Sequence, residues 1–258
     1  MAVGRTVNKF SRVYVDGYDL SGHTRSIGPL ACTFQEGNDD PLTADVIGTW
    51  LGQATISCGT INAMFDNTLL TGMHPILKTP PAKRAVMVPI GIRAAPAQGD
   101  PVFCGQFQQS DYMTDPGATP SALTIKFSPS AADSASLAYA DPWGILLHAN
   151  SYTSDLNTAN GIDCGAATSD GGYMMCQIFA SSGAGHTGNI IVEDAAIAGG
   201  PYATLVNTGV IDIGTAPAGY IVPLATTATV RQYIRWQVAW GTATNVTFAL
   251  AFVRGRPR

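Results

Sequence analysis

Charge is what this sequence has least of. Lys and Arg number 14 and Asp and Glu 18 in 258 residues, 12% of the chain, where an average soluble domain carries roughly 25%. Ordinary usage would place about 64 charged residues on a chain of this length. A net charge of −4 and a pI near 5.4 exclude the electrostatic footprint of a sequence-independent nucleic-acid binder. Long apolar runs are missing as well, although 46% of residues are hydrophobic and the mean hydropathy is +0.13. Gly, Pro and Asn break the uncharged stretches, so no transmembrane helix is expected. Met1 to Asp16 contains no apolar run of signal-peptide length. Without a secretion signal, the sequon Asn245-Val246-Thr247 carries no meaning. The expectation is a protein that stays in the cytoplasm or leaves it by lysis. A soluble chain this poor in charge either carries a bland Ser/Thr/Gly/Ala surface or buries surface against other subunits. That ranks an assembly component ahead of an isolated enzyme.

Regular metal-ligand and disulfide spacings are also lacking. Cys32, Cys58, Cys104, Cys164 and Cys176 form no CxxC, and an odd count with wide gaps predicts reduced, mostly buried thiols. His23, His74, His148 and His186 lie far apart with neither HxH nor HExxH spacing. The basic residues that exist gather at the ends: Arg5, Lys9 and Arg12 at the start, Arg254, Arg256 and Arg258 at the finish. They read either as solvated ends or as partners for acidic patches on neighbouring subunits.

What is present is β-patterning. From Val230 to Trp240 the even positions Ile234, Trp236, Val238 and Trp240 are apolar. After a turn at Gly241 to Asn245, the alternation resumes at Val246, Phe248, Leu250 and Phe252. This predicts a long antiparallel hairpin. Tyr173–Ala180 and Asn189–Asp194 read as a second hairpin joined by a Gly-rich linker. Short strands are expected at Gly209–Gly214 and Tyr220–Val222. In the first half, Arg12–Val15, Leu30–Phe34, Thr55–Phe65, Val86–Ile92, Val102–Tyr112 and Leu123–Phe127 are strand-like. One short helix is predicted at Pro41–Gly52, with Asp39 and Asp40 as N-cap candidates. Composition shifts across Ser128–Asp141 and Ser151–Asp170. The expected architecture is all-β: a β-sandwich or barrel with one short helix over 1–140, then a jelly-roll-like β-sandwich over 141–258.

Possible chemistry is weighed residue by residue. Gly183-Ala184-Gly185-His186-Thr187-Gly188 fits GxGxxG, but a strand follows where a dinucleotide site needs a helix N-terminus, so the glycines read as a hairpin loop. Cys176 alternates with Met174 and Ile178 as a core residue. Cys104 has no sequence-adjacent base. Asp39-Asp40, Asp16 with Asp19, and Glu193-Asp194 are the carboxylate clusters, with helix capping and turns as their simpler roles. Trp236, Trp240, Tyr233 and Phe252 could stack on a sugar, but Trp236 and Trp240 share the apolar strand face, which favours packing. No catalytic, cofactor-binding or metal-binding residue is assigned, no cofactor is called for, and the chain is expected not to be an enzyme.

The stretch Val15-Asp16-Gly17-Tyr18-Asp19-Leu20-Ser21-Gly22-His23-Thr24-Arg25-Ser26 resembles the opening of virion structural proteins of tailed bacteriophages. The likeness continues through Thr60–Asn67, Pro89–Ala94, Gly99–Val102 and Leu250–Gly255. Within that group it is nearest to the major tail (tail tube) protein of long-tailed phages. The resemblance implies homo-oligomeric rings stacked into a DNA conduit inside a virion, other virion proteins as partners, DNA passing without specific binding, and no membrane. The C-terminal part, with Arg231-Gln232-Tyr233-Ile234-Arg235-Trp236 before its last turn, looks like a galactose-binding-type jelly roll. A capsid decoration protein and a glycan-binding tail protein are the alternative readings.

Overall fold

The computed structural model describes residues 8–38, 49–69, 71–92, 94–129, 141–153, 160–181, 186–215 and 217–255. Nearly all of them lie in or between strands. In chain order these are β1 (Tyr14–Val15), β2 (Tyr18–Asp19), β3 (Thr24–Ile27), β4 (Ala31–Asn38), β5 (Thr49–Ser57) and β6 (Thr60–Met64). The helix α1 (Met73–Leu77) follows, then β7 (Ala82–Pro89), β8 (Pro101–Asp115), β9 (Ala122–Pro129), β10 (Trp143–Thr153) and β11 (Ile162–Asp163). The chain continues with β12 (Gly172–Ser181), β13 (Thr187–Ala195), β14 (Ala203–Asn207), β15 (Ile211–Asp212), β16 (Ala218–Pro223), β17 (Tyr233–Trp240) and β18 (Val246–Arg254).

An 11-stranded sheet organises the molecule. Its main path runs β16-β12-β18-β10-β8-β7-β1-β2, with β9, β6 and β3 branching from β8. The sheet passes through the position where composition shifts, because Trp143 on β10 is in register with Phe103 on β8. The path curls until its two ends nearly meet, giving an almost closed barrel. Every strand from β16 to β1 turns side chains into the interior: Tyr14, Met87, Cys104, Leu146, Tyr173, Met175, Ala251 and Val253 are buried there, with Ile221 packed against them.

The seam of the barrel is polar. The Gln177 side chain on β12, fully buried, accepts a hydrogen bond from Gly17 N–H (2.5 Å) and donates one to Ala85 O (2.9 Å). Ala85 O also accepts from Asp16 N–H (3.0 Å), and Ala85 N–H donates to the Asp16 carboxylate (2.8 Å). Asp16 and Gly17 form the β1–β2 turn with φ of 49° and 81°, the left-handed pair that a tight hairpin needs. A Cβ on Gly17 would collide with the backbone of Ala218 and Ile178. The expected Asp16-Gly17 turn is therefore present, and it also fastens one barrel edge to the other.

Two further cores lie against the outside of the barrel wall. On one side, the reverse faces of β1, β7 and β8 pack Val15, Val86, Val88 and Phe103 against Ile61, Leu123 and Ile125 from β6 and β9. Met73 and Leu77 of α1 complete that core. On the other side, β12 and β18 turn Met174, Cys176, Ile178, Phe248, Leu250 and Phe252 toward a five-stranded sheet, β11-β17-β13-β14 with β15 beside β13. Ile190, Val192, Ile234, Trp236 and Val238 face them across this sandwich. Strands of the barrel wall are thus buried on both faces, and such strands have almost no position that tolerates charge.

Three expectations are corrected. Segments 230–240 and 246–252 are strands, but not a hairpin: β17 pairs with β13 and β11, whereas β18 pairs with β12 and β10. The turn between them crosses from one sheet to the other, so their apolar even positions face each other instead of lying side by side. The same holds for β12 and β13, which belong to different sheets. The helix expected at Pro41–Gly52 falls mostly on 39–48, outside the described residues, and Thr49–Gly52 open strand β5. The helix among the described residues is α1, whose carbonyls at Ile76 and Leu77 accept from Arg84 (3.1 Å) and Gln109 (2.5 Å).

Removing the seam amide tests this arrangement. Gln177→Leu strands the Gly17 N–H in a dry site and is expected to lower unfolding free energy by about 1–3 kcal/mol in urea titrations. Gly17→Ala is expected to cost at least about 2 kcal/mol, since it adds strain at positive φ to a collision with backbone. A neutral result for both variants would show that the seam is held by something else.

Candidate assembly surface

Residues with catalytic potential are scattered by the fold. His23 pairs with Asp66 at 3.3 Å, and Asp66 is held below the usual carboxylate range by hydrogen bonds from the Thr68 hydroxyl and amide, then by His23. His74 bonds the Tyr112 hydroxyl. His148 stacks on Phe248 at 4.2 Å and meets Trp236 edge-on. His186 accepts backbone amides of Ile213 and Gly214 through its carbonyl. Among the described residues, no group of three His, Cys, Asp or Glu side chains gathers to hold a metal ion.

The carboxylates are committed to structure. Asp16 pairs with Arg84 at 3.0 Å, and Arg84 continues to the buried Gln109 at 3.1 Å. Asp19 accepts from Ser21 within its turn. Glu193 pairs with Arg235 at 2.7 Å, whose guanidinium lies over the Tyr202 ring. Asp194 accepts the Arg231 amide at 2.7 Å. Asp39 and Asp40 lie outside the described residues.

The five cysteines form no disulfide with one another. Burial pushes Cys58 up to about 12 and Cys164 up to about 11, and drives Cys104 and Cys176 higher still. A thiolate nucleophile is therefore disfavoured at each of these four positions. In GxGxxG, 183–185 lie outside the described residues, and Gly188 sits within strand β13. The loop joins two sheets, so it is not the hairpin loop that the sequence suggested. Trp236, one proposed stacking residue, is 3% exposed in the sandwich core.

The basic ends also resolve differently from each other. Arg254 is a clasp: its guanidinium donates to Cys164 O (2.5 Å), Ala166 O (2.7 Å) and Val230 O (3.1 Å). Lys9, Arg12 and Arg25 instead line a shared pocket near the chain start. Arg5, Arg256 and Arg258 lie outside the described residues.

Several surface features are not accounted for by these internal contacts. Strands β3 and β6 pair with each other, and so do β4 and β5, so the four form one long hairpin. It bends where Gly28 and Gly59 cross, so close that a Cβ on Gly59 would come within 2.8 Å of the Gly28 backbone. Beyond that bend, among the described residues, β4 and β5 pair only with each other. No residue of β4 with described burial is buried, and in β5 only Ile56 is. The ribbon reaches about 26 Å over the eight residues of β4. Sequence reasoning missed it because Thr55–Phe65 read as one strand; Cys58-Gly59 was the signal of the break. Exposed apolar side chains occur at Leu69, Val210, Ile197 and Met113. Beside β10, a cleft of about 290 Å³ is lined by Ile145, Leu147, Ile234, Phe252, Trp143 and Arg254, among others.

The burial pattern predicts thiol chemistry. In the folded protein at pH 8, Cys58, Cys104 and Cys176 are expected to react with a disulfide reagent only as fast as the chain opens, and all five thiols to titrate at once in denaturant. Rapid labelling of Cys104 in native protein would contradict the closed barrel interior.

No protein-family model matches the chain, and no curated protein matches it. Among solved structures, the chain is similar to the crystal structure of the SPP1 Dit (gp 19.1) protein, titled a paradigm of the hub adsorption apparatus in phages infecting Gram-positive bacteria. Identity is 8% and the TM-score 0.31, with 96% of this chain and 99% of that chain covered. The superposition is loose.

Proposed function

We propose that this chain is a structural subunit of a phage virion that assembles with copies of itself, most specifically a tail tube subunit forming stacked rings. On this reading residues 1–140 supply the tube-like part, and residues 141–258 complete its barrel wall with β10, β12, β16 and β18 and add a flanking sandwich. DNA passes through the lumen without specific binding, other virion proteins contact the ends, and assembly takes place in the host cytoplasm.

The observation that carries the reading is the β4–β5 ribbon. A two-stranded ribbon is marginally stable in water by itself, and both of its long edges are unpaired among the described residues. Strand edges of this kind are satisfied by pairing with another chain. The resemblance of 15–26 and 60–67 to phage virion proteins supports the same reading. These two segments meet in space through the His23–Asp66 pair, and the first supplies the barrel seam, so their residues are explained by architecture and not by chemistry.

Electron microscopy and sedimentation velocity of the purified protein test the proposal. The expected result is rings or tubes of uniform diameter. A variant in which Phe34 is joined to its register partner Ala54 through an Asn-Gly turn is expected to keep its melting transition and lose assembly. Monomers at every concentration would refute the reading. Assembly by the shortened variant would show that the ribbon is not its basis.

A further inference from the structure

The five-stranded sheet has two unlike ends. Ile234 on β17 lies at the cleft end, in register with Asp194 and Ile162. Trp240 lies six residues along the same strand, in register with Gly188, which in turn is paired with Ile211. Val210 immediately precedes Ile211, so it sits roughly 20 Å from the cleft end along the strand direction.

Val210 is 78% exposed, and its turn is held by hydrogen bonds. Gly209 has φ of +67° and donates its N–H to Asn207 Oδ1 at 2.8 Å. The Thr208 hydroxyl accepts the Ile190 amide at 3.0 Å and donates to Gly209 O at 2.9 Å. The exposed Asp212 follows two residues later, fixed by the Gly214 amide at 2.8 Å. The turn therefore presents an apolar knob beside a carboxylate.

The cleft at the other end has the matching character. Ile145 and Trp143, which is 36% exposed, give it apolar surface over the buried Leu147, Ile234 and Phe252, and Arg254 lines it together with Asp141, whose carboxylate accepts the Trp143 amide at 3.0 Å. The Arg254 guanidinium is bonded to carbonyl groups, and among the described residues no carboxylate pairs with it. An acidic group arriving with an apolar side chain would neutralise it.

We propose that the Val210–Asp212 turn of one copy seats in the Trp143–Arg254 cleft of the next, Val210 against the apolar walls and Asp212 toward the Arg254 charge. Knob and cleft are different surfaces at opposite ends of one sandwich, so the contact is head-to-tail. Contacts of that kind generate closed rings or open filaments and not isolated two-fold dimers. The inference rests on the self-assembly reading and adds a second contact to the ribbon edges. Ile197, which is 62% exposed, is a weaker candidate for the knob: it follows β13 at the cleft end of the sheet.

Cys164 lines the same cleft, which allows a direct test. The Val210→Cys variant, oxidised with diamide at a concentration where wild-type protein assembles, is expected to give a ladder of covalent oligomers on a non-reducing gel. Mass spectrometry is expected to find the 210–164 disulfide, and the ladder to vanish in the Val210→Cys/Cys164→Ala variant. Val210→Asp should keep its circular dichroism and melting transition while weakening association at least tenfold. A ladder that survives loss of Cys164, or undiminished assembly by Val210→Asp, overturns this contact and leaves the assembly reading standing. A wild-type protein that never assembles overturns both.

Discussion

One buried amide ties the two edges of the large sheet together. Gln177 projects from β12 to the turn at Asp16-Gly17 and to the Ala85 carbonyl on β7, bridging strands that are not paired by a backbone ladder. A buried polar side chain is stable only when its donors and acceptors are matched, and here both ends of the amide are. The absence of a side chain at Gly17 is the accompanying condition, because the turn lies directly on the backbone of β16 and β12. With the seam closed, the interior from Tyr14 to Val253 is dry. Tyr173 illustrates this: its hydroxyl, fully buried, is directed at the carbonyls of Cys104 and Asp141, and burial raises its pKa well above the ordinary tyrosine range.

The closed barrel also explains the composition. Its wall serves three cores, so β12 runs Gly-Tyr-Met-Met-Cys-Gln-Ile with every residue buried, and β18 is buried from Phe248 to Val253. Strands buried on both faces have no room for Lys or Glu. Scarcity of charge therefore has an internal cause beside any contact between subunits. Composition alone cannot apportion the two, because both deplete the same residue types. The association argument stands instead on particular surfaces: the unpaired ribbon edges, the exposed Val210 and the apolar cleft.

The sequence made the strands legible and left their neighbours ambiguous. Alternation at Ile234, Trp236 and Val238, and again at Phe248, Leu250 and Phe252, correctly marks residues that share a core. It does not distinguish a partner beside the strand from one across the sandwich, since both satisfy the same face. That is why two adjacent strand pairs read as hairpins and are instead crossings between sheets. A cue was available in β12, where Tyr173, Met175 and Phe179 fill the positions that a solvent-facing side would give to polar residues. The seam was half legible: Asp16-Gly17 announced a turn, but Gln177, about 160 residues away, gave no local sign of being its partner. The Val210 turn and the Trp143 cleft were not legible, because their complementarity exists only once the sheet sets them at opposite ends.

A three-core body carries the β4–β5 ribbon, whose outer edges are unpaired among the described residues and are proposed to meet another chain. Hydrogen exchange followed by mass spectrometry, over a range of protein concentrations, tests this most directly. The account predicts that amides of β12 and β18 stay protected at every concentration. Those of β4 and β5 should exchange rapidly in dilute protein and become protected as it assembles. Equal protection of the ribbon at all concentrations, or barrel strands that exchange as fast as the ribbon, would contradict it.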